Sequence, residues 1–386
     1  MVVAKEGRVT VKKNFYSDNV SGAAPEVLAA LVAANAGDTA PYGADPSTEG
    51  LTARFSELFE TPVEVYPVGT GTAANGLCAS ILSAPYGAIY LSDAGHLHGS
   101  ECGGPEFWSG GNARTIPVPT VDGKLQPADL ARMVDEASAR PATEVPPRAV
   151  SITQGTEAST VYSLAEVGAI VEVARARRLL VHMDGARLAN AVAHLGCTPA
   201  EATWKLGVDL LSFVATKNGA LTAEAVVFFK RELAESVRYR RRRAGHLFSK
   251  MRFLSVQLDA IVRDGLWLRN AAHANAMARR IREGLARVPG VRFPSPTDIN
   301  LVLVALPQPV WDGLVADGYS FSRRGPMKDG IIRIACAFDT PVEAVDALLE
   351  SAYRHAGLAG GAPVNGRAAA PSAPPPSRPS PASRRG

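Results

Sequence analysis

The sequence predicts an α/β protein built on a mostly parallel sheet covered by helices on both faces. Seven short runs rich in β-branched residues recur along the chain, at 63–68, 88–91, 115–118, 149–153, 179–183, 210–215 and 225–229. Segments of helical period separate several of them, at 72–82, 164–177 and 199–206. Alternation of this kind, with strands that are apolar throughout, is what a sheet buried on both faces requires. The ligand site of such a sheet is expected at the carboxyl ends of its strands.

Each element has a local reason. The strand 63–68 leads into Thr70-Gly71-Thr72-Ala73-Ala74-Asn75, where small residues let backbone amides and a hydroxyl approach a phosphate at the start of helix 72–82. The turn is not G-x-x-x-x-G-K, and Ala74 stands where a dinucleotide fingerprint would need glycine. Ser163-Leu164-Ala165-Glu166 fits a capping box ahead of an apolar stripe at Leu164, Val167, Ile170 and Val171. After a basic segment at 238–251, a long helical stretch at 255–287 reads as a connector, and strands and turns return over 291–333. Thr340-Pro341-Val342-Glu343 opens a further helix with proline at its first position. The expected division is an N-terminal arm at 1–24, a large domain at 25–258, a smaller α+β domain at 259–360 and a tail at 361–386. That tail is Pro, Ala, Ser and Arg with almost no large apolar residue, so it cannot offset its ordering entropy and is expected to be disordered.

Composition narrows the function. The 386 residues are 46% hydrophobic and 20% charged with a net charge of +4, ordinary values for a soluble protein of more than one core. Arg238-Tyr239-Arg240-Arg241-Arg242-Arg243 is a single basic cluster in a nearly neutral chain, so nucleic acid is not expected as a partner. Cys78, Cys102, Cys197 and Cys336 lie far apart with no C-x-x-C pair, which suggests reduced thiols rather than disulfides, and no ligand cluster points to a metal. Residues 1–13 lack a signal-peptide core and no run is long enough to span a bilayer, so a cytoplasmic protein without a membrane partner is expected.

Two segments carry the chemistry. Val181-His182-Met183-Asp184-Gly185-Ala186-Arg187 closes one apolar strand on a carboxylate, and Phe213-Val214-Ala215-Thr216-Lys217-Asn218-Gly219 closes the next on a lysine. Charges at the ends of apolar strands are rare unless paired or used. This layout suits pyridoxal 5'-phosphate: Lys217 can form a Schiff base with its aldehyde, and Asp184 can keep the pyridine nitrogen protonated. His182, inside the strand, reads as a hydrogen-bonded structural residue. His96 sits in a loop after a strand, where catalytic groups gather.

Taken in order, Ser17-Asp18-Asn19-Val20, Tyr42-Gly43-Ala44-Asp45-Pro46, Gly71-Thr72-Ala73-Ala74-Asn75, His96 with Glu101, the Asp184 and Lys217 segments and Arg333 resemble the L-threonine aldolases, closest to the bacterial low-specificity and phenylserine aldolase branch. The resemblance covers about 15–333 and implies the aspartate aminotransferase fold (fold type I) with a seven-stranded, mostly parallel sheet. It implies Lys217 as the Schiff-base lysine, Asp184 at the pyridinium, His96 stacked on the ring, Gly71 and Thr72 at the phosphate, and Arg187 near the cofactor. Ser17, Arg187 and Arg333 would grip the substrate carboxylate, a fit for guanidinium forks. Tyr42 and Asp45 would lie on a loop near the site at a subunit boundary.

The implied activity is cleavage of L-β-hydroxy-α-amino acids such as L-threonine, and phenylserine beside it, to glycine and an aldehyde, in a homotetramer or dimer acting on a small-molecule substrate. A transaldolase that moves the glycyl unit to a second aldehyde, or a non-catalytic pyridoxal phosphate-binding protein, are the alternatives. One departure stands out. Where many relatives carry Glu-Asn-Thr-His, this chain has Thr153-Gln154-Gly155-Thr156-Glu157, which leaves His96, His98, Glu157 or a bound water as the base for the β-hydroxyl.

Overall fold

The computed structural model describes residues 13–83, 86–110, 113–140, 142–322 and 330–358. Its centre is a seven-stranded sheet of β1 (Glu64–Val68), β2 (Ala88–Ser92), β3 (Arg114–Val118), β4 (Pro147–Thr153), β5 (Leu180–Gly185), β6 (Leu210–Val214) and β7 (Glu224–Phe228). The spatial order is β1-β7-β6-β5-β4-β2-β3. Each strand falls on a run that the sequence marks, displaced by at most a residue or two. β2 to β6 pair in parallel, whereas β7 runs antiparallel to both β6 and β1. The start of β7 therefore lies at the same edge as the ends of its neighbours, with Glu224 in register with Val68 and Val214.

The helices are α1 (Pro25–Ala34), α2 (Pro46–Leu58), α3 (Gly71–Leu82), α4 (Pro127–Ser138), α5 (Leu164–Ala176), α6 (Leu188–Leu195), α7 (Arg252–Val262), α8 (Leu266–Leu285), α9 (Gln308–Ala316) and α10 (Val342–His355), beside shorter turns. One face of the sheet packs Val150, Ile152, Val181 and Leu211 against α1, α2 and α4 to α8. The other packs Val68, Ile89, Ala149 and Val226 against α3, which is buried along most of its length. A second core, with Val302 and Val304 of β8 (Leu301–Ala305) and Ile332 and Ile334 of β9 (Ile331–Ala335), gathers α9, α10 and the far end of α8. Asn14–Phe15 pairs in parallel with Ser320–Phe321 and carries Phe15 into that core.

The structure adjusts three sequence expectations. The helical stretch 255–287 is broken at Asp264 and Gly265, whose φ of 52° and 70° leave the helical region. Asp and Gly tolerate that conformation at low cost. The segment 199–206 keeps only a 3₁₀ turn, Trp204–Leu206, because Pro199 and a Gly207 at φ 103° bracket a stretch too short to sustain a helix. The crossover from β5 to β6 is made instead by α6. Pro341 caps α10 rather than opening it, a one-residue difference. The capping box at Ser163 and Glu166 is formed as the sequence indicates. All four cysteines are free thiols. Among the described residues no helix is long and apolar enough to cross a membrane. The tail expected to be disordered lies outside the described residues.

Candidate active site

The carboxyl ends of β1, β2, β5 and β6 and the start of β7 enclose a cavity of about 360 Å³ lined by Gly71, Thr72, His96, Asp184, Lys217 and Glu224 among others. Chemistry gathers there because a parallel sheet aims every strand end at one edge. Thr70 caps α3 by accepting the Ala73 amide at 3.1 Å, and its carbonyl takes the Ala74 amide. The amides of Gly71 and Thr72 are left at the open first turn, where the helix dipole also favours an anion. Gly69 and Thr222 brace this turn, since the Thr222 hydroxyl donates to the Gly69 carbonyl at 2.8 Å.

Asp184, the next-to-last residue of β5, is held from two sides. Its Oδ1 accepts the Ala186 amide at 3.0 Å and its Oδ2 accepts from Asn75 Nδ2 at 3.1 Å. The same Asn75 amino group donates to Glu101 Oε1 at 2.8 Å, and that oxygen is also 2.8 Å from His96 Nδ1. A continuous chain thus runs from the imidazole to the Asp184 carboxylate. Lys217 lies on the 3₁₀ turn Thr216–Asn218 that follows β6. Burial and then the Arg187 cation hold its amine below the usual lysine range, against the opposing charges of Asp18, Glu157 and Asp184.

The fit to pyridoxal phosphate can be tested on the donor set. The cavity offers free helix-start amides for a phosphate, a buried carboxylate for a ring N–H, an imidazole beside it and a lysine amine without a hydrogen bond among the described residues. Two buried acceptors, Asn75 Oδ1 and Glu101 Oε2, also stand without a hydrogen-bond partner among the described residues. These groups match the cofactor's phosphate, ring nitrogen, ring face and aldehyde in kind and in number.

Not every residue marked in the sequence reaches the cavity. Gly71, Thr72, His96, Asp184 and Lys217 line it together. Arg187 does not: its Nε and Nη2 donate to Asp18, at 2.9 and 3.1 Å, and both side chains are buried. Ser17 caps the turn Asp18–Val20 by accepting the Asn19 amide, and Asn19 rather than Ser17 lines the cavity. Arg333 is buried in β9, donates to the Tyr16 carbonyl at 3.2 Å and pairs by its backbone with Ser322. Tyr42 is 49% exposed, away from the cavity, with the Arg242 guanidinium over its ring. Asp45 caps α2. His182 is buried between Ser151 and Ser212, at 2.8 and 2.9 Å, and burial pushes its imidazole down to about 4. His98 is exposed and bonded to Thr115. Gln154, at the departure from the usual pattern, bonds Tyr162 through both ends of its amide.

Two contributors escape sequence reasoning. Burial alone would push the Asp18 carboxyl up, but Arg187, Lys217 and Asn300 hold it far below the usual carboxylate range. No spacing connects Asp18 to residues so distant in sequence. Glu224 has a readable signal, a carboxylate heading the apolar run 225–229, the mirror of Asp184, which closes its run.

The β-eliminating lyase family model matches residues 14–308. A low-specificity L-threonine aldolase of Pseudomonas aeruginosa is 43% identical over 86% of this chain and 95% of its own length. One from another Pseudomonas strain is 42% identical over 85% and 93%. Among solved structures, a threonine aldolase of Leishmania major superposes with a TM-score of 0.84 at 26% identity, covering 89% of this chain and all of that one. Oryza sativa TDC with PLP and tryptamine superposes at 0.69 with 16% identity over 89% and 84%, which shows the shared type I fold alone. With the fold, the cavity and nearly the full length of the bacterial relatives in agreement, the chain belongs to the β-eliminating lyase family, among the low-specificity L-threonine aldolases.

Proposed function

We propose that the protein cleaves L-β-hydroxy-α-amino acids, L-threonine among them, to glycine and an aldehyde with pyridoxal phosphate as cofactor. The observation that carries this is the convergence of Lys217, Asp184 and His96 on one cavity in a chain so similar to curated L-threonine aldolases. When bound, the cofactor supplies the electron sink into which the Cα–Cβ bonding pair can move.

The chain's own residues do the rest. Burial and the Arg187 cation hold the Lys217 amine below the usual lysine range, which favours its nucleophilic, unprotonated form. Asp184, locked by the Ala186 amide and Asn75, is oriented to hold a proton at the ring nitrogen. The Gly71 and Thr72 amides hold the phosphate. His96 is the imidazole in the cavity, and its bond to Glu101 fixes the ring so that it can cover the cofactor or exchange a proton with the β-hydroxyl. Arg333 and Ser17, bonded to the Tyr16 carbonyl and the Asn19 amide outside the cavity lining, would have to turn toward the cavity to grip the substrate carboxylate, while Arg187, tied to Asp18, secures the segment that carries Ser17 and Asn19. Phenylserine is a second substrate. The working form is a homo-oligomer in which exposed Tyr42 serves a neighbouring subunit's site, and the enzyme acts in the cytoplasm.

The test is release of glycine and aldehyde from L-threonine and L-phenylserine by the holoenzyme beside Lys217→Ala. Equimolar release that disappears in the variant is expected. Retention of multiple turnovers by the variant, or cofactor binding through Lys217 with no cleavage of either substrate, would overturn the reading.

A further inference from the structure

Glu224 is the buried carboxylate of the cavity that the reaction outlined above leaves unused. It is 3% exposed and lines the cavity beside Lys217. As the first residue of the antiparallel strand, it sits between the turn that carries the lysine and the turn that opens α3. Its Oε2 accepts the Ala215 amide at 2.6 Å and the Thr216 amide at 3.3 Å, so it caps the lysine turn. Thr216 in turn accepts the Ala223 amide at 3.2 Å, which closes a small ring joining β7 to that turn. A neutral acceptor such as glutamine would satisfy the same two amides without burying a charge, a cost that calls for a compensating role.

We propose that Glu224 is the positioning residue of Lys217, bracing the lysine turn and adding one more negative charge to those of Asp18, Glu157 and Asp184 that favour the protonated amine. The inference rests on Lys217 as the reactive lysine and on nothing about which amino acid is cleaved. Burial pushes the Glu224 carboxyl up to about 7, the bonds from the lysine turn and the Lys217 charge opposing it, so this charge changes near neutrality. The other charged groups acting on the lysine amine are Arg187, Asp18, Glu157 and Asp184; His96 and Glu101 also line the cavity, with His246 beyond, accepting the Gly69 amide, and Arg241 behind β1. Asp184, His96, Glu101, His246 and Arg241 make no bond to the lysine turn.

The experiment is competitive labelling of Lys217 with acetic anhydride across the neutral and alkaline range, read by mass spectrometry on the cofactor-free full chain. In the unaltered protein the Lys217 profile should depart from a single titration, with an inflection near 7 from Glu224. Glu224→Gln keeps the amide bonds and removes the charge, so the lysine midpoint should fall by at least roughly half a pH unit, a threefold gain in labelling. Glu224→Asp keeps the charge and should hold the midpoint near that of the unaltered protein. A single-group profile in the unaltered protein, or a Gln variant that labels identically to it, would overturn the inference. The first readout stands even where the Gln variant fails to fold. Because labelling does not depend on turnover, failure to cleave L-threonine would sink the proposed reaction without moving this result.

Discussion

At Asp18 and Arg187 two opposite charges lie out of water and are joined by two hydrogen bonds, so removing one strands the other. Asp18→Asn should therefore cost about 3–5 kcal/mol, read as a fall in the midpoint of urea unfolding. The low Asp18 value means that its stabilisation is present above the unfolded carboxylate value and is lost as the pH falls through that value toward the folded one. His182 acts earlier on the acid side. Its folded value of about 4 lies below the unfolded value near 6.5, so the unfolded chain takes up a proton first. Its contribution, present above the unfolded value, should be lost as the pH falls from about 6.5 to about 4, by roughly 3 kcal/mol in all. Urea titrations of His182→Gln should lack that acid slope, and an unchanged slope would remove His182 as its cause.

At the level of elements, the spacing of β5 and β6 fixes the distance between Asp184 and the lysine turn. Gly185 makes this spacing possible: a Cβ there would meet Leu211 Cδ1 and the Ser212 carbonyl oxygen at 2.7 Å. The backbone oxygen cannot swing aside as a side chain would. Gly185→Ala should cost about 1–3 kcal/mol by overpacking and, because it moves the neighbour of Asp184, should weaken cofactor binding measured by fluorescence titration. Binding of unaltered strength would show that the strand spacing is not what orients the carboxylate. The strands themselves were readable from their apolar runs, because strands buried on both faces admit few polar residues. The direction of β7 was not, since the pattern of side chains is the same for either direction and only the pairing distinguishes them.

At the scale of the whole molecule, Tyr42 stands exposed on the loop before α2, and Tyr239 and Leu221 are exposed large side chains elsewhere on the surface. A second copy covering that loop would bring Tyr42 to its neighbour's cavity. Sedimentation velocity should then show a homo-oligomer, and Tyr42→Ala should raise KM with little change in subunit fold. A fully active monomer would refute this arrangement. The two cores meet along α8, whose first turns pack Trp267 and Ala271 into the large core and whose later turns place Met277, Ile281 and Leu285 in the second. The boundaries 25–258 and 259–360 are offered as the unit division, which limited proteolysis can check.

The sequence alone determined the alternation of strands and helices, the strand-end positions of Asp184 and Lys217, the small-residue turn at Gly71 and the capped start of α5, because periodicity, propensity and strand-end chemistry are local properties. Only the tertiary structure decided that Arg187 is bound to Asp18, that Asn75 joins Asp184 to Glu101 and His96, and that Glu224 faces the lysine turn. Arg187 lies 169 residues from Asp18, and Asn75 lies 109 from Asp184 and 26 from Glu101, while Glu224, only 9 residues from Ala215, meets it because β7 turns back along β6. Their meeting depends on strand order, strand direction and the packing of the N-terminal arm against the small core, none of which leaves a fixed spacing along the chain.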